Sequence, residues 1–311
     1  MEFFSHQTSY PFMATRKVWY TLSAVLMIVS LGSFFVRGLN LAIDFTGGVS
    51  ASATFTQPAN PDQVRTQLLA AGFRDPAVQV FGTARDIAIR LPPDPKLDSN
   101  AVRTHLEAAL HGVDPGAQVV QLDVVGPQVG GELKMSAIWS LFFTLLFIFG
   151  YLAVRFHTWR LSAGAILAVL HDPILVLGFF SVTQMSFDLA VVAAILAVIG
   201  YSLNDTVVVF DRIRERFEGN RRSPPDVVLD QSINQTLSRT IMTKVVTSIV
   251  VVALLFLGGP VLKGFSAALL IGIIAGTYSS IYISSAIALD FGLTAEHVFP
   301  SVKKAALDHL P

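Results

Sequence analysis

The chain has no cysteine among its 311 residues, which excludes disulfides, thiolate metal sites and thiol nucleophiles. Charge is nearly as scarce. Only 14% of the residues are Asp, Glu, Lys or Arg, against roughly 25% in soluble domains, and this argues against an ordinary soluble enzyme. Neither sign is in excess, since 22 basic residues face 22 acidic ones. No basic run interleaves with aromatics, so no nucleic acid is expected as a partner.

What the chain has in quantity is apolar surface: 52% of its residues are hydrophobic. Six stretches approach the roughly 20 residues needed to cross about 30 Å of hydrocarbon. They are residues 18–36, 135–154, 161–183, 189–210, 240–258 and 265–289. The first follows Arg16 and Lys17 but lacks a small-residue cleavage site, so it is read as a retained membrane helix rather than a signal peptide.

Basic residues in the short connections give the orientation. One side collects Arg16, Lys17, Arg155, Arg160, Arg212, Arg214, Arg216, Arg221, Arg222, Arg239, Lys303 and Lys304, while the other holds Lys263. The asymmetry places the N-terminal residues 1–17, the loop 211–239 and the tail 290–311 in the cytoplasm, and residues 37–134 outside it. The setting expected is the cytoplasmic (inner) membrane, with the lipid bilayer as a partner.

Residues 37–134 read as a small folded domain. Residues 49–56 alternate like a strand, Asn60-Pro61 caps a helix that Gly72 stops, and residues 77–81 and 86–91 are short strands across Gly82. Ser99 opens a second helix ending near His111-Gly112, and residues 118–125 close the series as a strand. The order β-α-β-β-α-β is that of a ferredoxin-like unit. His105 and His111 are expected to be solvated, and the domain's work to be contact with another protein. The fold class is thus an α-helical polytopic membrane protein with six transmembrane helices and a small α+β domain between the first and second.

Ionisable groups inside a span cost about 2.5–3.5 kcal/mol each on insertion scales, so each asks for a reason. His171 and Asp172 lie at the midpoint of the third span, before Pro173. Asp172 either satisfies backbone groups freed by the proline or belongs to a functional site. Asp205 follows Asn204 in the fourth span, and Arg239 begins the fifth. These two spans are joined on the cytoplasmic side, so Asp205 and Arg239 can approach at similar depth, and a carboxylate balanced between burial and a facing cation suits proton uptake and release. For Arg239 the competing reading is an interfacial anchor. Lys244 is either a second cation near Asp205 or a residue whose stem reaches back to the interface.

The sixth span carries Gly264, Ala268, Gly272, Gly276, Ser280, Ser284 and Ala288 at every fourth position. Such a seam admits another helix along its length, and a leucine at Gly272 or Gly276 is expected to weaken assembly with a partner chain. A shorter seam, Ala190, Ala193, Ala197 and Gly200, lies on the fourth span.

These residues carry a resemblance. Asp44-Phe45-Thr46-Gly47-Gly48 after the first span, residues 125–133 (VGPQVGGEL) before the second, residues 200–215 (GYSLNDTVVVFDRIRE), Ser238-Arg239-Thr240, His171-Asp172 and residues 276–282 (GTYSSIY) together resemble the SecF family of bacterial protein export. The resemblance covers nearly all of the chain. It implies half of an RND-superfamily transporter, doubled by a SecD partner of the same plan. It also implies use of the proton-motive force to assist unfolded polypeptides exported through the SecYEG channel, with protons as coupling ion, no cofactor, no metal and no covalent catalysis. In that family an Asp of span four and an Arg of span five form the proton relay, and Asp205 and Arg239 match them. Where the family shows a Thr-Ser pair, this chain has Thr243-Lys244.

Two other readings compete. A proton-driven small-molecule exporter of the same superfamily would carry two such halves and larger outer domains. A membrane aspartyl protease could use Asp172 and Asp205, but neither sits in a Gly-x-Gly-Asp setting, and a cation beside Asp205 opposes a shared proton.

Overall fold

The computed structural model describes residues 8–93, 99–156 and 158–299. Residues 1–7 and 300–311, Lys303 and Lys304 among them, lie outside the described residues. The first membrane helix, α1 (Arg16–Arg37), is followed by the single turn α2 (Ile43–Thr46), which the sequence reading left out. The outer unit runs β1 (Gly48–Thr54), α3 (Pro61–Ala70), β2 (Ala77–Val80), β3 (Asp86–Leu91), α4 (Ser99–His111) and β4 (Gln118–Val125). Then come α5 (Pro127–Phe156), α6 (Trp159–Thr183), α7 (Leu189–Gly219), α8 (Pro225–Leu257) and α9 (Gly259–Tyr278). The sixth span continues through a π-helical turn (Ser279–Ile283) into α10 (Ser284–Asp290), and α11 (Ala295–Val298) follows. Among the described residues six helices are long and apolar enough to cross a membrane.

The outer unit has the expected order. Its sheet runs β2-β3-β1-β4, with every pair antiparallel. Alternation along β1 turns Val49, Ala51 and Ala53 inward, where they meet Ile87, Ile89 and Leu91 of β3. Val64 and Leu68 of α3 and Leu106 of α4 close that core. Asn60 caps α3 by accepting from the Asp62 amide at 2.9 Å, the role its position before Pro61 suggests. His105 and His111 are exposed; His105 lies 4.9 Å from the Phe73 ring, and His111 Nε2 is 3.1 Å from the Ala117 carbonyl.

The connection expected over 211–239 is not a loop. α7 continues to Gly219 and α8 begins at Pro225, leaving only residues 220–224 between them. Ile213 and Phe217 extend the buried stripe of α7 and pack with Val228, Leu229 and Ile233 of α8, while the neighbouring arginines take the polar face. A search for uninterrupted apolar runs stops at the first arginine and misses such an amphipathic extension. The N-terminal segment is also held. Met13 N donates to Asp230 Oδ1 at 2.8 Å, Tyr10 N donates to Asn234 Oδ1 at 3.0 Å, and Phe12 and Met13 are buried beside Phe210 and Phe217.

The small-residue seam of the sixth span faces inward, against this chain's own helices. A Cβ at Gly272 would collide with the Val198 side chain of α7, one at Gly276 would lie 3.2 Å from Ser202 Cβ, and one at Gly264 3.0 Å from Val191. Ala268, Ser280 and Ser284 are buried, and Ser284 backs onto Gly164 of α6. The expectation that this seam meets a partner chain is therefore corrected: a periodic stripe reports close approach, not which helix approaches. Gly272→Leu is expected to destabilise the isolated chain by about 1–3 kcal/mol through overpacking. Ile274→Leu, at a 60% exposed position, should change little; thermal unfolding of each purified variant in detergent measures both. The shorter seam does face outward, since Ala193, Ala197 and Gly200 are exposed on α7.

Candidate functional site

Asp205 lies on the buried face of α7, one turn from Ser202, and is 6% exposed. Its partner is Lys244, 4% exposed on α8, with Nζ 2.7 Å from Asp205 Oδ2. The contact is an ion pair, and among the described residues neither atom has another hydrogen-bond partner. The ammonium also lies 5.0 Å from the centroid of the Tyr201 ring, within cation–π range. Tyr201 is tied in turn to α8 by a 2.9 Å contact between its hydroxyl and Thr247 Oγ1.

Lys244 does not reach back to the interface. It extends a buried polar run at every fourth residue of α8, Ser232, Thr236, Thr240 and Lys244, and that run faces α7. Arg239 is exposed and makes no ion pair among the described residues. Five residues turn an α-helix by about 140°, so Arg239 leaves α8 on a different face from Lys244, although its charge still lies close enough to act on Asp205. Asn204, adjacent to Asp205, is also exposed and stays outside the pair.

A second buried cluster centres on Asp172, fully buried, and His171, 4% exposed. Asp172 Oδ1 meets His171 Nδ1 at 2.9 Å, while Oδ2 accepts from Ser202 of α7 and, at 2.9 Å, from Ser279 of the π-helical turn. His171 Nε2 meets the Tyr278 hydroxyl at 2.9 Å. The Asp172 oxygens thus serve α7 and the sixth span rather than backbone freed by Pro173, through which α6 runs unbroken.

The two clusters meet on α7, where Ser202 and Asp205 are spaced i, i+3 and so are neighbours on one face. His171, Asp172, Ser202, Asp205, Lys244 and Ser279, all buried, therefore gather inside the helical bundle. Among the described residues no three His, Asp or Glu side chains gather as metal ligands.

The outer unit is joined to this bundle through a close backbone contact. Gly47 (φ 73°) and Gly48 (φ 123°) occupy the left-handed region that favours glycine. A Cβ on Gly47 would stand 2.9 Å from Pro127 Cα, and one on Gly130 would stand 2.8 Å from Gly47 N. Beside this contact, Asp44 Oδ2 accepts from Leu189 N at 2.9 Å and Asp188 Oδ1 accepts from Val191 N at 2.8 Å. Both carboxylates thus serve the N-terminus of α7. Burial, and then the charge of Asp44, raise the Asp188 pKa above the usual carboxylate range, against the pull of its backbone bonds. Burial lowers the pKa of Arg90 on β3, and Asp188 partly restores it.

For a carboxyl with a raised folded-state pKa, the stabilising contribution is full below its unfolded-state pKa and is lost as pH rises through the folded value. Asp188→Asn keeps a helix cap of similar strength, within about 0.5 kcal/mol, and is expected to remove that part of the loss on going from acidic to neutral pH. Thermal midpoints measured across this window compare the two proteins.

Residues 105–294 match the family described as protein export membrane protein SecD/SecF, C-terminal, and residues 32–59 match the SecD/SecF GG motif. The chain is 45% identical to the protein translocase subunit SecF of Haemophilus influenzae, over 96% of this chain and 91% of that one. It is 44% identical to the SecF subunit of Pseudomonas aeruginosa, over 96% and 97%. Its structure is similar to that of SecDF, a translocon-associated membrane protein from Thermus thermophilus, with TM-score 0.82 and 36% identity over 91% of this chain. It spans 39% of that SecDF chain. A SecDF structure in the super-membrane-facing form matches with TM-score 0.69 over 93% of this chain.

Proposed function

The chain belongs to the SecD/SecF family of protein export membrane proteins, and from that premise we propose that it is a SecF-type accessory subunit of the Sec machinery that draws on the proton-motive force. The observation that carries the proton-driven part is the isolated Asp205–Lys244 pair inside the bundle. With Asp205 ionised, the pair is neutral and holds α7 to α8. A proton on Asp205 removes the carboxylate charge and leaves the ammonium uncompensated where several kcal/mol of desolvation is at stake. Lys244 then has reason to move toward Tyr201, and α8 to shift against α7. One charge crossing the membrane field is worth about 2.3 kcal/mol per 100 mV, and each pH unit adds about 1.4 kcal/mol, so one proton supplies energy of the required size. Arg239 serves as a further cation on the same helix, five residues before Lys244.

The partner is a SecD-type unit of the same plan, as the likeness to part of a SecDF chain suggests. The exposed stripe Ala193, Ala197, Gly200 and Asn204 of α7 offers it a close helix contact. Both termini are cytoplasmic, the sheet domain lies outside the inner membrane, and the export partners are SecYEG and the unfolded polypeptide leaving it. Protons are the coupling ion, and no other cofactor is required. The test is export into membrane vesicles with and without this chain, before and after an ionophore collapses the gradient. The chain should raise export only while the gradient stands; an equal gain after collapse would sink the proton-driven reading.

A further inference from the structure

We propose that His171 and Asp172 form a second proton-holding station beside the Asp205 pair, an inference that rests on the proton-driven reading above. Asp172 accepts from Ser202, Ser279 and His171, three donors that converge on its two oxygens. That holds Nδ1 of His171 as a donor and leaves Nε2 as the atom that gains or loses the proton. Opposite Nε2 stands the Tyr278 hydroxyl at 2.9 Å, a group able to donate or accept.

With Nε2 bare, the hydroxyl donates to it. When a proton arrives, one N–H bond forms on Nε2 and the hydroxyl rotates to accept from it. No hydrogen bond of the network is lost in the exchange. The dyad passes from a net charge of −1 to neutral, the direction a low-dielectric interior favours. A site that protonates without breaking its own scaffold is what a relay station needs; a purely structural cluster has no use for that symmetry.

The surroundings connect this station to the first. Asp205 is one turn along α7 from Ser202, Lys244 faces in from α8, and Tyr282 is the other titratable group of the π-helical turn. α1 contributes Ser23 and Ser30 as its buried polar groups, and α5 carries no charged side chain between Lys134 and Arg155. A groove of about 540 Å³ between α8 and α9 is lined by both Lys244 and Tyr278, so each station has a member on one opening. The π-helical turn starts at Ser279, directly after Tyr278. Turns of this kind inside α-helices recur at functional sites, and here the widened turn lets consecutive residues address Asp172 and His171.

The test uses the full chain assembled with its SecD-type partner in proteoliposomes. His171→Asn keeps a hydrogen-bonding side chain but cannot hold the proton, and it should lower gradient-driven proton flux by about tenfold or more. Tyr278→Phe keeps the ring and should slow flux less, while moving the pH at which His171 changes state. Infrared difference spectra of the native protein with ring-labelled histidine, acid against alkaline, should show an imidazole-to-imidazolium change that His171→Asn abolishes and Asp205→Asn retains. Absence of that change in the native protein would overturn the station, as would unaltered flux and pH profile in an assembled His171→Asn. Full flux in Asp205→Asn would instead strike at the first pair, which keeps the two failures distinct.

Discussion

Asp205→Asn is expected to reduce gradient-dependent export to the level of vesicles lacking the subunit, while folding and partner assembly persist. Asparagine has the same size and can still accept a hydrogen bond, but it cannot titrate. The ammonium of Lys244 then loses its counter-charge, although the Tyr201 ring 5.0 Å away takes up part of it, so the melting temperature should fall without loss of the fold. The double variant Asp205→Asn with Lys244→Met removes both charges and should recover that stability, because an apolar pair often replaces a buried ion pair at no net cost. It should remain inactive in export. If Asp205→Asn exported at full rate, Asp205 would be a packing residue.

The second large effect distinguishes the two cations. Lys244→Met leaves the Asp205 carboxylate buried and unpaired, a situation that costs about 3–5 kcal/mol or is escaped by holding a proton permanently. Either outcome removes the cycle, so export should fall by about a hundredfold or more. Arg239→Met alters an exposed side chain without a carboxylate contact among the described residues and should impair export only in part. The same vesicle assay at equal protein abundance ranks them. A dead Arg239→Met beside an active Lys244→Met would return the counter-ion role to Arg239, the position the family resemblance singles out.

That ranking marks where the sequence was legible and where it was not. Hydrocarbon thickness alone locates the six helices, and caps such as Asn60 together with period-two alternation in β1 and β3 give the outer unit its order. Asp205 stands out because an ionisable residue in a span is costly wherever it points. Its partner was harder to read, since proximity in sequence to the helix end favours Arg239 while helical phase favours Lys244. The signal was present: Lys244 falls in step with Ser232, Thr236 and Thr240, a stripe too small and polar to face lipid. The His171 cluster needed three dimensions, because its contacts on the sixth span lie 107 residues away in the chain. The seam of that span was visible as a contact surface, yet nothing in its period could say that Val198 and Ser202 of the same chain fill it.

Between the last residue of β4, Val125, and the first of α5, Pro127, stands only Gly126, and the Gly47–Gly130 contact pins the start of β1, which pairs with the end of β4, to the same helix. Strand and helix are therefore spliced end to end without slack. α5 has 30 residues, which makes it about 45 Å long, and a tilt of about 10° at its far end sweeps its outer end sideways by about 8 Å. Any tilt of α5 that leaves the bundle packed is therefore passed directly to the outer sheet, because no flexible link separates strand from helix.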